Sequence, residues 1–206
     1  RGHSLRGLLD KLPPGQRMPI QQTLEIVDQL CAALEYAHQF TVHRDIKPEN
    51  VMILEDGTVK LMDFGISKLM SNVQLTSASM VMGTPYYMSP EQLKDSRNVD
   101  ARADIYSIGV MLYEILTGNL PTGVPKSASQ LMNDIPPAMD TIVSTCVDPD
   151  PAKRYSSVLE LRNALLPIKA LVDSGTGIAA SKAKPAAGGV SSHFGRRVLG
   201  LILLGT

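Results

Sequence analysis

The stretch Asp104–Leu116, D-I-Y-S-I-G-V-M-L-Y-E-I-L, constrains the fold more than any other part of the chain. Its apolar residues point to every side of a helix, so no face can be left to water. It is too short to cross a bilayer, which needs roughly 20 apolar residues, and Asp104 and Glu114 bracket it. The remaining solution is a helix buried at the centre of a domain, with Gly118 as its C-terminal cap. Other segments supply the elements that cover it. From Pro19 to about His38, apolar residues recur at Ile20, Leu24, Val27, Leu30, Cys31, Leu34 and Ala37, which is helical spacing with Pro19 at the first position. A short helix is expected over Ser4–Leu12, stopped by Pro13-Pro14-Gly15. Amphipathic helices are expected near Ala138–Val147 and Ser157–Leu166, the second opened by a Ser157-x-x-Glu160 capping box. Two apolar runs, Val51–Leu54 and Val59–Met62, flank Glu55-Asp56-Gly57-Thr58 and read as a hairpin.

With 206 residues the chain can build one domain with a real core plus a tail. Twenty basic residues balance twenty acidic ones, which argues against a nucleic-acid binder that works by neutralising phosphates. Cys31 and Cys146 fall on apolar helix faces and read as reduced core thiols, favouring a reducing, cytosolic compartment. The chain begins at Arg1 with no signal segment, and both ends are expected to be cuts. From about Ser174 the composition turns to Gly, Ala, Ser, Lys and Pro, a linker that cannot bury enough apolar surface to order itself. Gly175-x-Gly177-x-x-Ala180 within it imitates a dinucleotide fingerprint, but no strand leads into it. The expected organisation is a folded domain over 1–168, a flexible linker over 169–195 and an apolar segment over 196–206.

Chemistry concentrates in His43-Arg44-Asp45-Ile46-Lys47-Pro48-Glu49-Asn50 and in Asp63-Phe64-Gly65, which directly follows the hairpin. A carboxylate, a lysine two residues on, an asparagine and a second carboxylate are the groups phosphoryl transfer requires. One group accepts a proton from a hydroxyl nucleophile, oxygens hold Mg²⁺, and a cation faces the phosphoryl group.

This set resembles the catalytic loop and Mg²⁺ motif of the eukaryotic-type (Hanks-type) protein kinases. Gly83-Thr84-Pro85-Tyr86-Tyr87-Met88-Ser89-Pro90-Glu91 is similar to the end of that family's activation segment, with Ser-Pro-Glu in place of Ala-Pro-Glu. Asp104–Leu116 resembles its central helix, and Asp150-Pro151-Ala152-Lys153-Arg154-Tyr155 the motif near the end of its large lobe. The resemblance covers residues 4–166. It implies a protein-kinase-like α+β fold, of which this chain is the mainly helical C-terminal lobe with a short β-hairpin. It also implies ATP and Mg²⁺ as cofactors, and signalling by phosphorylation of serine and threonine in protein substrates. Asp45 would be the catalytic base and Lys47 would steady the γ-phosphate. Asn50 and Asp63 would hold Mg²⁺, and Met52 would underlie the adenine. Lys47-Pro48 is similar to serine/threonine rather than tyrosine kinases, and Thr84 would hydrogen-bond to Asp45 and Lys47. His43 would pack beside Phe64, Asp104 would hold the catalytic-loop backbone, and Glu91 and Arg154 would form a buried ion pair. Arg44 would receive a phosphate carried by the activation segment at Thr76, with Ser77 and Ser79 as alternatives.

No Gly-x-Gly-x-x-Gly precedes His43, and Lys11 is the only lysine there. The small lobe is therefore expected to be absent from this chain, and residues 1–206 alone to transfer no phosphate at a useful rate. A lone large lobe serving as a non-catalytic scaffold is the alternative reading. The undamaged base and metal positions weigh against it. Arg196-Arg197 precede an apolar run to Leu204, which gives the further expectation of a single membrane-anchoring helix with the kinase lobe on the cytoplasmic side. The resemblance to receptor-type bacterial kinases adds dimerisation for activation.

Overall fold

The structure, a computed structural model, describes residues 1–63, 85–95 and 98–174. Its centre is a helix over Arg102–Thr117, numbered α4 in chain order, in which every residue from Ser107 to Thr117 is buried. Gly118 ends it in the left-handed region, φ 72°, its N–H donating to the Glu114 carbonyl at 2.7 Å. The helix is apolar all round because partners lie on several sides. α2 (Ile20–Ala37), α6 (Ala138–Cys146) and α7 (Val158–Asp173) all pack against it or against one another. Gly109 lets α6 approach closely. A Cβ built there would lie 2.4 Å from Cys146 Cβ and 2.9 Å from Val147 Cγ1.

The expected hairpin forms from β2 (Val51–Leu54) and β3 (Val59–Leu61), with Gly57 at φ 84° in the turn. A third strand joins it: β1 (Gly2–Ser4) pairs antiparallel with β2, Ser4 opposite Met52, giving the order β1-β2-β3. Gly2 is needed there, since a Cβ would meet the Ile53 carbonyl at 2.7 Å.

Three local expectations are corrected. The first helix, α1, covers only Leu5–Leu9, capped by the Ser4 hydroxyl; residues to Leu12 form looser turns. At the start of α7 the Ser157 hydroxyl caps Glu160 N–H, but the Glu160 carboxylate turns instead to the backbone and hydroxyl of Ser156, both at 2.7 Å. The capping box is thus half made. α7 also runs past Leu166 and through Pro167 to Asp173, because Ile168 and Val172 still find the core. Two short helices were not foreseen, α3 (Pro90–Lys94) and α5 (Ala128–Leu131), each opened by a serine–glutamine capping box.

Cys31 and Cys146 are buried and unpaired, and burial pushes the Cys31 thiol up to about 12 and Cys146 further. Among the described residues no helix is long and apolar enough to cross a membrane; the 196–206 run lies outside them.

Candidate active site

The loop from His43 to Asn50 links α2 to β2, and Asp104 in the first turn of α4 organises its start. One oxygen accepts the His43 N–H at 2.8 Å and the other the Arg44 N–H at 2.7 Å. His38 Nε2 lies 2.9 Å from the first of these. A carboxylate this deep needs such donors, and here it has three. Arg44 sits at φ 66°, a left-handed conformation that disfavours any side chain. The bonds of Asp104 to the amides of residues 43 and 44 hold the chain in it.

The His43 ring then ties the loop to the strand that carries the second carboxylate. Its Nδ1 accepts the Asp45 N–H at 3.2 Å, which leaves Nε2 as the donor to the Met62 carbonyl at 3.0 Å. Met62 N–H in turn donates to the Asn50 carbonyl at 2.8 Å. Asp63 follows, exposed, at φ 53°. Among the described residues only Arg44 and Asp63 are non-glycine residues at positive φ, and both belong to the motifs picked out as chemistry.

Within the loop, Lys47 Nζ stands 3.1 Å from Asp45 Oδ2, and the Asn50 side-chain amide donates to the same oxygen at 3.0 Å and to the Asp45 carbonyl at 2.8 Å. Asp45 therefore has a fixed orientation with a cation beside it. Because Asn50 commits its nitrogen to Asp45, its oxygen is the atom suited to a hard cation. That oxygen and the Asp63 carboxylate are the right donors for Mg²⁺, which takes one or two protein oxygens and completes its shell with water and phosphate. Among the described residues no cluster of three or more His, Cys, Asp or Glu exists that could hold a metal by itself. Met52 lies in β2, between Ser4 and Lys60 of its neighbours.

A second layer supports the loop from α3. Ser89 and Gln92 form the cap of that helix, and Gln92 Nε2 donates to the Arg44 carbonyl at 3.0 Å, while Arg44 Nη2 reaches the Val99 carbonyl at 3.3 Å. Glu91, also in α3, meets Arg154 in two parallel bonds of 2.6 and 2.8 Å. Burial pushes the Glu91 carboxyl up, but the Arg154 guanidinium, the backbone N–H of Glu91 and the Ser89 hydroxyl outweigh it, leaving it below the usual range. His38 and Gln92 are not marked in the sequence as site residues, because the contact each makes to the site, with Asp104 and Arg44 respectively, lies far along the chain. Phe64, Thr76, Ser77, Ser79 and Thr84 lie outside the described residues.

Solved structures define the class. Crystal structures of the Mycobacterium tuberculosis PknI kinase domain match with a TM-score of 0.63 at 27% identity, covering 82% of this chain and 62% of theirs. The protein kinase domain family matches residues 2–166, and the chain belongs to that family. Curated relatives are serine/threonine-protein kinases: PknL of Mycobacterium tuberculosis is 38% identical over 176 residues, 78% of this chain and 43% of its own length. PknB of Mycobacterium leprae is 38% identical over 181 residues, 80% of this chain and 28% of its own length. The chain thus spans less than half the length of either relative.

Proposed function

We propose that the intact protein transfers the γ-phosphate of ATP, with Mg²⁺, to serine or threonine hydroxyls of protein substrates in signalling. The observation that carries this reading is the state of Asp45: its carboxylate is oriented by Lys47 and Asn50, on a loop whose start is fixed by the buried Asp104. Bound ATP supplies the phosphoryl group, and Mg²⁺ neutralises its charge. Asp45 orients the substrate hydroxyl and accepts its proton. Lys47 sets a positive charge where negative charge gathers, and Asn50 and Asp63 offer oxygen ligands. Lys47-Pro48 and the serine/threonine kinase relatives support the choice of hydroxyl. The non-catalytic scaffold reading is disfavoured because the sequence carries no substitution at Asp45, Lys47, Asn50 or Asp63.

Asp45→Asn keeps the size and hydrogen-bonding reach of the side chain but cannot take up a proton. Mg²⁺-dependent transfer to a serine peptide should fall by roughly 10²–10⁴ with unchanged helix content. Unaltered turnover would remove Asp45 from this role. Residues 1–206 carry no Gly-rich loop, so we expect negligible transfer by them alone; robust Mg²⁺-dependent transfer would refute this. Arg196-Arg197 and the apolar run after them support membrane anchoring with the kinase lobe cytoplasmic. Recovery of the full-length protein in the soluble fraction after lysis would count against it.

A further inference from the structure

Arg6, in α1, touches more of the chain than any motif singled out in the sequence would suggest. Its Nε donates to Glu49 Oε1 at 3.0 Å, and its Nη2 donates to the Tyr87 hydroxyl at 2.8 Å and to Glu114 Oε1 at 2.9 Å. The Tyr87 hydroxyl donates onward to the other oxygen of Glu114. Asp10 lies 3.6 Å from Nη1. Burial works against the guanidinium charge, yet Glu49 and Glu114 hold it above its ordinary value.

The partners come from distinct elements. Glu49 lies in the tight 3-10 turn Pro48–Asn50 of the catalytic loop, and Glu114 is a buried carboxylate of α4. Tyr87 ends the 3-10 turn that follows residues 64–84. Glu49 is 46% exposed and could be solvated by water without any partner, so its bond to Arg6 adds little stability. What the bond does supply is position. In a three-residue turn Glu49 cannot move without carrying Asn50, and Asn50 holds Asp45.

We propose that Arg6 is a positioning residue for phosphoryl transfer, clamping Glu49 to Glu114 and Tyr87 and so placing Asn50, the intended Mg²⁺ ligand, beside Asp45. This rests on the kinase reading above. Without Arg6, Glu49 and Glu114 would be left as like charges sharing one site, and the turn would shift outward. Lysine is a poor substitute, since one ammonium cannot present the separate, planar donors that reach Glu49 on one side and Glu114 and Tyr87 on the other.

The test compares Arg6→Gln, Arg6→Lys and Glu49→Ala in the full-length protein. Arg162→Gln is the control, because Arg162 pairs with Asp28 at 2.7 Å between α2 and α7, away from the loop. Two quantities are read: amide hydrogen exchange over residues 45–54 without nucleotide, and the Mg²⁺ concentration giving half-maximal peptide phosphorylation at fixed ATP. Arg6→Gln and Glu49→Ala should speed exchange there by roughly two- to fivefold, the scale of a lost partly exposed ion pair. Both should raise the Mg²⁺ requirement, Arg6→Lys should lie between them and wild type, and Arg162→Gln should change neither. Wild-type exchange and Mg²⁺ requirement in Arg6→Gln would overturn the clamp, as would equal changes in Arg162→Gln. Should Arg6→Gln fail to fold, the exposed Glu49→Ala decides by the same readings. A wild-type protein that transfers no phosphate overturns the kinase reading, and exchange then judges the clamp by itself.

Discussion

Removing the carboxylate of Glu91 should destabilise the protein far more than an ordinary ion pair would predict, because of what it leaves behind. The Arg154 side chain is 0% exposed and Glu91 25%. Besides its two bonds to Glu91, the guanidinium donates to the carbonyls of Asp148 at 2.8 Å and Arg102 at 3.0 Å, and stacks 4.9 Å above the Tyr106 ring. These neighbours fix it in place, so in Glu91→Ala it cannot turn to water, and a buried charge loses the carboxylate that pairs with it. Breaking such a pair from one side costs about 3–5 kcal/mol. For a domain of this size that is a fall in Tm of about 6–20 °C. Arg154→Met should also destabilise, through the carbonyls it abandons, although Glu91 can then be partly rehydrated. Urea and thermal denaturation of the two single variants and the double variant give the coupling energy. A loss below about 1 kcal/mol in Glu91→Ala would place the pair among surface ion pairs and refute the reasoning. The pH dependence supplies a second check. The folded-state value of Glu91 lies below its ordinary 4.5, so the pair's contribution is complete above the unfolded value and disappears as pH falls through the lower, folded one. The wild type should therefore lose its advantage over Glu91→Ala in acid.

Gly109→Ala should cost about 1–3 kcal/mol by overpacking, because the added methyl would lie 2.4 Å from Cys146 Cβ; a Tm within a degree of wild type would show that α6 can retreat freely. Replacing Thr76, Ser77 and Ser79 together by alanine should depress activity of the intact enzyme if phosphorylation there pairs with Arg44, and full activity would refute this.

How much of this was legible in the sequence depends on the range of the interaction concerned. The central helix and the hairpin were readable because a 3.6-residue or 2-residue pattern is local. So was the C-terminal glycine of α4, since left-handed geometry selects Gly118. β1 was not readable: three residues carry no pattern, and their strand character comes from β2, some fifty positions away. The same holds for α7, where tertiary burial of Ile168 outweighs the helix-breaking effect of Pro167. In the site, the loop residues stand together in sequence and announce themselves. Their supports do not. Gln92 reaches Arg44 across 48 residues, and Arg6 reaches Glu114 across 108, and nothing in either local sequence marks them.

The two acidic residues of α4 show why a helix otherwise so apolar should carry charge at all. Asp104 and Glu114 stand ten residues apart, roughly 15 Å along the axis. Each is buried, and burying a carboxylate is unfavourable unless donors meet it. The donors link them, one directly and one through Arg6, to the two ends of one short segment. Asp104 takes the amides of His43 and Arg44 at the start of the catalytic loop, while Glu114 takes the guanidinium of Arg6, which holds Glu49 near its end. A leucine at either position would remove the desolvation cost, but that end of the loop would lose its tie to α4. Asp45 and Asn50 lie between those ties. The buried central helix therefore meets both ends of the segment proposed to carry the chemistry, and its only acidic residues are the two that make the attachments.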